Sequence, residues 1–213
     1  MESVVAWYRL GGPMMHLILL VGLIGLAVFL ERFYIIVMRS KVNGRAFIER
    51  IIQLVRAGKV DDAIKLCAQS KAALPDMGLL ILRSRSRDES DLQNVADAAA
   101  LSVIPRLTRR LHYLPMLANV ATLLGLLGTI LGLQAAFQAV SAADAATRSA
   151  ALSRGIAIAL NTTAFGLLIA VPLSAAHAYL VSQAETIIEQ VDEFSVRLIN
   201  ALIDRPDVRL GHR

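Results

Sequence analysis

Long uncharged runs alternate with charged stretches along this chain. No charged side chain occurs in residues 115–143 or in residues 155–184, and a shorter apolar run covers residues 13–30. A helix needs about 20 apolar residues to cross the hydrocarbon core of a bilayer. The pattern therefore predicts an all-α integral membrane protein with three transmembrane helices, extended by long helices outside the bilayer.

The same pattern divides the chain into seven segments. In chain order we expect a short N-terminal segment, the first span, a helical domain, the second span, a loop, the third span, and a C-terminal helix with its tail, at residues 1–13, 14–38, 39–114, 115–140, 141–154, 155–180 and 181–213.

Helical spacing of apolar residues also continues outside the spans. It predicts an extension of the first helix through Arg56, a break at residues 74–78, and a long helix over residues 88–114 with a kink at Pro105. A separate amphipathic helix is expected over residues 183–203. The expected buried face of the long helix consists of Leu92, Val95, Ala99, Ser102 and Leu107.

The basic residues are distributed unevenly about the spans. Fourteen of the 22 Lys and Arg residues lie between Arg39 and Arg110. Because cytoplasmic loops of membrane proteins carry an excess of Lys and Arg, this predicts a cytoplasmic helical domain and C-terminus, with the N-terminus and the 141–154 loop outside. The net charge of +5 then reflects topology rather than nucleic-acid binding. The single cysteine, Cys67, excludes an intrachain disulfide.

The second and third spans each carry one stripe of small residues. On a helical wheel these stripes are Thr122, Gly125, Thr129, Gly132 and Ala136 in the second span, and Ala159, Thr163, Gly166, Ala170 and Ser174 in the third. Small residues allow another helix to approach closely. One interpretation is ordinary helix packing through Gly128 and Gly132, and the other is the wall of an ion pathway shared with a partner helix.

Polar side chains within the spans are the candidates for moving an ion. Thr129 and Thr163 lie centrally on the small faces, and a hydroxyl can both donate and accept a proton. For Thr122 and Thr162, a hydrogen bond to a carbonyl of the same helix is the favoured alternative. Asn161 either extends the polar pathway or bonds to a neighbouring helix.

The second and third spans contain no acidic residue. A proton-driven device needs a group that titrates within the membrane, so a partner helix would have to supply it. Glu31 beside Arg32 is interpreted as an interfacial pair. Pro172 is a candidate hinge, with simple curvature as the alternative. The chain shows no metal-ligand cluster, nucleotide motif or activated nucleophile, so we expect neither an enzyme nor a cofactor.

Two motifs resemble those of a known family. The segment LGLLGTILGL at residues 124–133 and the segment GIAIALNTTAFGLLIAVP at residues 155–172 are similar to the second-helix and third-helix signatures of the MotA/TolQ/ExbB proton channel family. The order of elements resembles its ExbB/TolQ branch. Some members carry a glutamate where this chain has Ile158, so that acid is missing here.

The resemblance implies a multi-pass protein of the bacterial inner membrane, with a periplasmic N-terminus and a cytoplasmic C-terminus. It implies five copies around a dimer of an ExbD/TolR-like single-span subunit, whose membrane aspartate faces Thr129 and Thr163. Such a motor couples the proton-motive force to TonB-type transport or Tol-type envelope maintenance. A gliding-motility stator and a structural scaffold without ion conduction remain alternatives. Membrane lipids are expected partners, and nucleic acid is not.

Overall fold

A computed structural model describes residue 8 and residues 11–38, 44–70, 72–84, 86, 88–142, 144 and 146–204. Within these residues every regular element is a helix. Expectations for most of the N-terminal segment, for the residues between the first span and Gly44, and for the tail after Asp204 fall outside the described residues.

Seven α-helices and one π-helical turn, Tyr34–Met38, make up the described structure. The α-helices, numbered α1 to α7, are Met14–Phe33, Gly44–Arg56, Val60–Ala68, Ala73–Arg83, Glu89–Thr108, Tyr113–Ala142 and Arg148–Ile203.

Three stretches are long and apolar enough to cross a membrane, namely Met14–Met38, Glu89–Ala142 and Arg148–Ile203. They contain α1, α6 and the first part of α7, which are the predicted spans. The prediction of an all-α membrane protein with three transmembrane helices is therefore confirmed.

The chain forms two compact units. The membrane unit consists of Met1–Glu31 and Arg110–Tyr179, and the second unit consists of Arg32–Arg109 and Leu180–Arg213. Helix α7 begins in the membrane unit and ends in the second unit.

The second unit has its own hydrophobic core, built from one face of each of its helices. Phe194 of α7 is fully buried near its centre and meets the ring of Phe47 edge-on, with 6.1 Å between ring centroids. On the rim, the Arg197 guanidinium donates to the carboxylates of Glu49 and Glu193. These hydrogen bonds, first that of Glu49 and then that of Glu193, raise the pKa of Arg197 above its usual value.

The predicted break at residues 74–78 is wrong, because α4 runs through it from Ala73 to Arg83. Pro75 falls in the first turn, where a missing backbone N–H breaks no intrahelical bond. Gly78 is retained inside the helix because the Phe194 ring fills the space that a side chain would need, 2.9 Å from an added β-carbon.

The predicted helix over residues 88–114 is also wrong, because α5 ends at Thr108 and α6 begins at Tyr113. Arg110 between them has a left-handed backbone, with φ of 66°, which no α-helix can include. Pro105 lies in the last turn of α5 without ending it. The buried face also differs from the prediction: Ser102 is exposed, Val95 is half-buried, and Ala96 and Val103 are buried instead.

The helical boundaries around the third span differ as well. Helix α6 extends to Ala142 and α7 begins at Arg148, so the loop is shorter than the predicted 141–154. The expected third-span helix and the amphipathic helix are one element of 56 residues. No Gly or Pro stands between Leu180 and Gln183, so nothing interrupts the helix where the apolar run ends.

Candidate ion pathway in the membrane unit

Helices α6 and α7 pack through their small-residue stripes. Gly125, Gly128, Gly132 and Ala136 of α6 are buried, and so are their counterparts on α7, which are Gly155, Ala159, Thr162, Gly166 and Ala170. Larger residues of α6 such as Leu123 and Ile130 are more than half exposed. The two stripes therefore form one interface, which we call the α6/α7 seam.

The close approach depends on the absence of side chains at the glycines. A β-carbon added at Gly128 would lie 2.5 Å from Oγ1 of Thr162, and one at Gly166 would lie 2.7 Å from the carbonyl oxygen of Ala121. At Gly132 it would meet the backbone N of Ala159 at 3.0 Å. Contacts of this kind require a neighbouring helix to move, so these glycines set the distance between α6 and α7.

The sequence left two interpretations of the stripes, which were ordinary helix packing and a wall left open for a helix of another protein. At Gly125, Gly128, Gly132 and Gly166 the neighbouring helix belongs to the same chain, as the packing interpretation expects, and contact of these stripes with a partner helix stays a prediction. The wheel identified the small faces correctly but could not say which helix lies against them.

One hydroxyl crosses the seam. Thr163 Oγ1 donates a hydrogen bond of 3.0 Å to the carbonyl oxygen of Gly125. Gly125 allows this approach, since a β-carbon there would lie 3.2 Å from the Thr163 Cα. Both residues are near the middle of the expected spans, so the seam carries a half-buried polar group at central depth.

The other three threonines of the second and third spans each donate a hydrogen bond to a carbonyl of their own helix. Thr122 donates to the Ala118 carbonyl at 3.1 Å, as expected, and Thr162 donates to the Ala159 carbonyl at 2.8 Å. Thr129 donates to the Leu126 carbonyl at 2.6 Å.

These threonines differ in how accessible they are. Thr162 is only 1% exposed, whereas Thr129 and Thr163 are half-buried. Thr129 follows Gly125 by one helical turn, which places it next to the turn that accepts the Thr163 bond. Asn161 is half-buried, and α7 is helical through Pro172.

Sequence reasoning missed the packing of the first span. A β-carbon at Gly22 of α1 would lie 2.7 Å from Ile169, and one at Gly25 would lie 2.7 Å from Leu173. The two glycines, three residues apart, were the available signal. At 100° per residue, Thr163 lies roughly 80–120° around α7 from these contacts. Helix α1 therefore covers a side of α7 that Thr163 does not occupy.

An ion pair joins the C-terminal part of α1 to the residue Arg110 within the membrane unit. The Arg110 guanidinium donates to both carboxylate oxygens of Glu31, at 2.8 and 3.0 Å. The sequence interpretation had paired Glu31 with the neighbouring Arg32. In the second unit Arg32 is 4% exposed, and its Nη1 donates to the carbonyl oxygen of Arg106 at 3.4 Å. In the part of the chain that the structure describes, no group of three His, Cys, Asp or Glu residues could hold a metal ion.

Comparison with known proteins gives this arrangement a context. Residues 56–193 match the family model of the MotA/TolQ/ExbB proton channel family. This chain belongs to that family. The match includes both motifs and the whole α6/α7 seam, so the MotA/TolQ/ExbB resemblance seen in the sequence is confirmed.

Individual members of the MotA/TolQ/ExbB family place the chain in the ExbB/TolQ-like branch. An ExbB homolog of Methanothermobacter thermautotrophicus is 26% identical over 89% of this chain and 67% of its own length. The Tol-Pal system protein TolQ of Haemophilus influenzae is 36% identical over 45% of this chain and 43% of its own length. The biopolymer transport protein ExbB of Aquifex aeolicus is 35% identical over 35% of this chain and 50% of its own length.

Proposed function

We propose that this protein is the channel-forming subunit of an inner-membrane motor that uses the proton-motive force for work at the cell envelope. The observation that carries the proposal is the Thr163 hydroxyl on the Gly125 carbonyl, a polar crossing at central depth on an edge of the seam away from α1. Family membership supports the class of function. Because the relatives include both an ExbB and a TolQ, we propose either TonB-type transport or Tol-type envelope maintenance as the driven process.

The proposed ion pathway runs along this edge of the seam. Thr129 and Thr163 provide the hydroxyls on this edge. Asn161 and Thr162 are kept as predicted pathway residues, but Asn161 lies about 160° around α7 from Thr163, and Thr162 is buried. Each hydroxyl can accept a proton or orient a water molecule that does. Since the second and third spans carry no acid, we assign the titrating group to a membrane aspartate on a single-span partner of the ExbD/TolR type.

The proposed assembly is a homopentamer around a dimer of that partner, with the N-terminus periplasmic and the C-terminus cytoplasmic. One elementary charge crossing 100 mV releases about 2.3 kcal/mol. A mechanical step that costs several kcal/mol therefore needs more than one proton. Gly125, Gly128 and Gly132 pack against α7 of the same chain. Ala170 and Thr122 lie seven residues from Thr163 and Thr129, and so share their helix faces.

The test is proton flux through the purified complex with its partner in liposomes under an imposed potential. We expect Thr163→Val and Thr129→Val to assemble normally and to lose most of the flux. Thr186→Val is the matched control, because Thr186 bonds to Ser182 of its own helix outside the spans. Wild-type flux in assembled complexes of both membrane variants would contradict the pathway.

One observation favours the alternative of a structural scaffold that conducts no ions. The glycine stripes of α6 and α7 pack against each other within the chain. The same experiment separates the two functions. A scaffold would show no flux in the wild-type complex, and Thr163→Val would then change nothing that depends on an ion gradient.

A further inference from the structure

The two half-buried threonines at the centre of the α6/α7 seam use their hydroxyl hydrogens in the same way. Thr163 Oγ1 lies 3.0 Å from the carbonyl oxygen of Gly125, and Thr129 Oγ1 lies 2.6 Å from the carbonyl oxygen of Leu126. A carbonyl oxygen carries no hydrogen, so the threonine must be the donor in both bonds. We call the surface formed by Thr129 and Thr163 the threonine edge.

A hydroxyl whose hydrogen is engaged can only accept further hydrogen bonds. It has one O–H donor and two lone pairs, so Thr129 and Thr163 present lone pairs to a group placed against them. The Gly125 carbonyl between them also accepts the backbone N–H of Thr129, as the helical pattern of α6 requires. The threonine edge therefore offers acceptors and holds its own hydrogens back.

The side-chain amides nearest to this depth lie on other faces. Asn161 is about 160° around α7 from Thr163, and Gln134 is about 140° around α6 from Thr129. The backbone N–H groups at this depth are engaged within α6 and α7, because both helices are unbroken there. Neither kind of donor is therefore directed at the threonine edge.

Other polar and titratable groups of α6 and α7 are about 13 Å or more from the threonine edge. Asn119, Ser174 and His177 lie ten, eleven and fourteen residues from the threonine of their own helix, which is about 15, 16 and 21 Å of helix rise. Arg154 lies nine residues from its threonine, about 13 Å away.

The titratable residues near the start of α1 lie on another side of α7. The Tyr8 ring meets the rings of His16 and Phe165, with 5.3 and 5.8 Å between centroids. Phe165 is about 160° around α7 from Thr163. These groups therefore do not face the threonine edge.

A carboxyl group changes its hydrogen bonding when it loses its proton. The protonated acid has an O–H that can donate to a threonine lone pair, whereas the carboxylate can only accept. A carboxylate against the threonine edge would face oxygen lone pairs among apolar side chains, and both features disfavour the charged form.

We propose that the threonine edge recognises the partner's membrane carboxyl in its protonated form, with the acid O–H donating to Thr129 or Thr163. This recognition rests on the proposed function, which assigns the acid to a single-span partner. The observation that carries it is that carbonyls of α6 hold both hydroxyl hydrogens. The threonines thereby select the protonation state of the acid as well as lining its path.

The opposite arrangement has a hydroxyl turned away from its carbonyl so that it donates to the carboxylate. The threonine would then stabilise the charged form of the acid. Removing the hydroxyl changes the proton affinity of the acid in opposite directions in the two arrangements, so the sign of the change identifies the one that exists.

The test is labelling of the complex, purified with its partner, by dicyclohexylcarbodiimide, which modifies protonated carboxyl groups. The labelling rate of the partner's membrane carboxyl between about pH 5 and pH 9 gives a midpoint pH for its protonation. We expect Thr163→Val to lower this midpoint by about 0.5 pH unit, the equivalent of one interhelical hydrogen bond. Thr129→Val should shift it in the same direction.

Two controls keep the hydroxyls of the edge. Thr163→Ser retains an O–H at the same position and should retain the wild-type midpoint. Thr186→Val removes a hydroxyl that bonds to Ser182 outside the spans, so it should leave the midpoint unchanged. A more apolar surface would by itself raise the midpoint, so a fall in the Thr163→Val complex identifies a lost acceptor.

Two results overturn the recognition of the protonated acid. A raised midpoint in the valine variants would show that the hydroxyls donate to the carboxylate, and an unchanged midpoint would show that they contact neither form. Proton flux separates this failure from that of the proposed function. Lost flux with a raised or unchanged midpoint overturns the recognition alone, whereas wild-type flux in both valine variants overturns the pathway and the recognition with it.

Discussion

The hydroxyl of Thr163 and the carbonyl oxygen of Gly125 join two helices of the membrane unit by a hydrogen bond of 3.0 Å. Interhelical hydrogen bonds in membranes contribute about 0.6 kcal/mol on average. We expect Thr163→Val to lower the free energy of unfolding in detergent by about 1 kcal/mol or less, and Thr163→Ser to retain most of it. SDS titration of the purified protein measures both.

This small stability effect separates structure from conduction. Thr163→Val should remove most of the proton flux although the protein stays folded, because the hydroxyl is lost while the shape is conserved. A loss of several kcal/mol would show instead that the bond is chiefly structural, and the flux defect would then say nothing about the pathway.

Gly128 tests the close approach of α6 and α7. A β-carbon at this position would lie 2.5 Å from the Thr162 hydroxyl, so Gly128→Leu must push the helices apart. Overpacking of this kind costs about 1–3 kcal/mol. We expect a reduced unfolding free energy and loss of folded protein from membranes. Ala135→Leu is the matched control, since Ala135 is exposed on another face of α6. Equal stability of the two variants would argue against the seam.

The three membrane spans could be predicted from the sequence alone, because uncharged runs of that length seldom occur outside membrane-spanning helices. The helical wheel also found the correct faces, since Gly125 and Gly166 do lie on the buried sides of their helices. It could not find their neighbour, because a wheel gives the direction of a residue from its own axis and no information on the next helix.

Helix ends were the weakest predictions, for a physical reason. The end of an apolar run marks where the environment changes, and a helix can continue from lipid into water. Helix α7 continues without a break past Leu180, where its apolar run was expected to end. The turn at Arg110 was hidden for the opposite reason, because an arginine with a left-handed backbone carries no Gly or Asn signal.

Cys67 provides a probe of the second unit. Its thiol is fully buried, and burial raises the pKa to about 12 from 9.0. Because the thiolate is the reactive form, we expect no maleimide labelling of the folded protein at pH 8, and labelling at the rate of unfolding. Leu101→Cys, at an exposed position, should label at once. Rapid labelling of Cys67 in the folded state would contradict its burial.

The same thiol predicts a dependence of stability on pH. The pKa is raised in the folded state, so the thiol contributes its full stability below about pH 9 and loses it as the pH rises towards 12. Relative to Cys67→Ala, the wild-type protein should therefore lose stability above pH 9, on the order of 1 kcal/mol for each pH unit. Parallel pH profiles of the two proteins would show that the thiol does not titrate differently on unfolding.

The last prediction concerns Arg110, where an ion pair and a strained backbone coincide. Its bond to Glu31 is bidentate, but both side chains are partly exposed, at 45% and 39%. Such pairs contribute about 1 kcal/mol or less. The φ of 66° costs a non-glycine residue about 1–2 kcal/mol. Arg110→Ala loses the pair and keeps the strain, whereas Arg110→Gly loses the pair and relieves the strain. We expect Arg110→Gly to be more stable than Arg110→Ala by about 1 kcal/mol in SDS titration. In a Glu31→Gln background both substitutions should cost less than in the wild type, while the difference between them persists, because the backbone term does not depend on the carboxylate. Equal stability of the Gly and Ala variants would indicate that the turn is not held in the left-handed region.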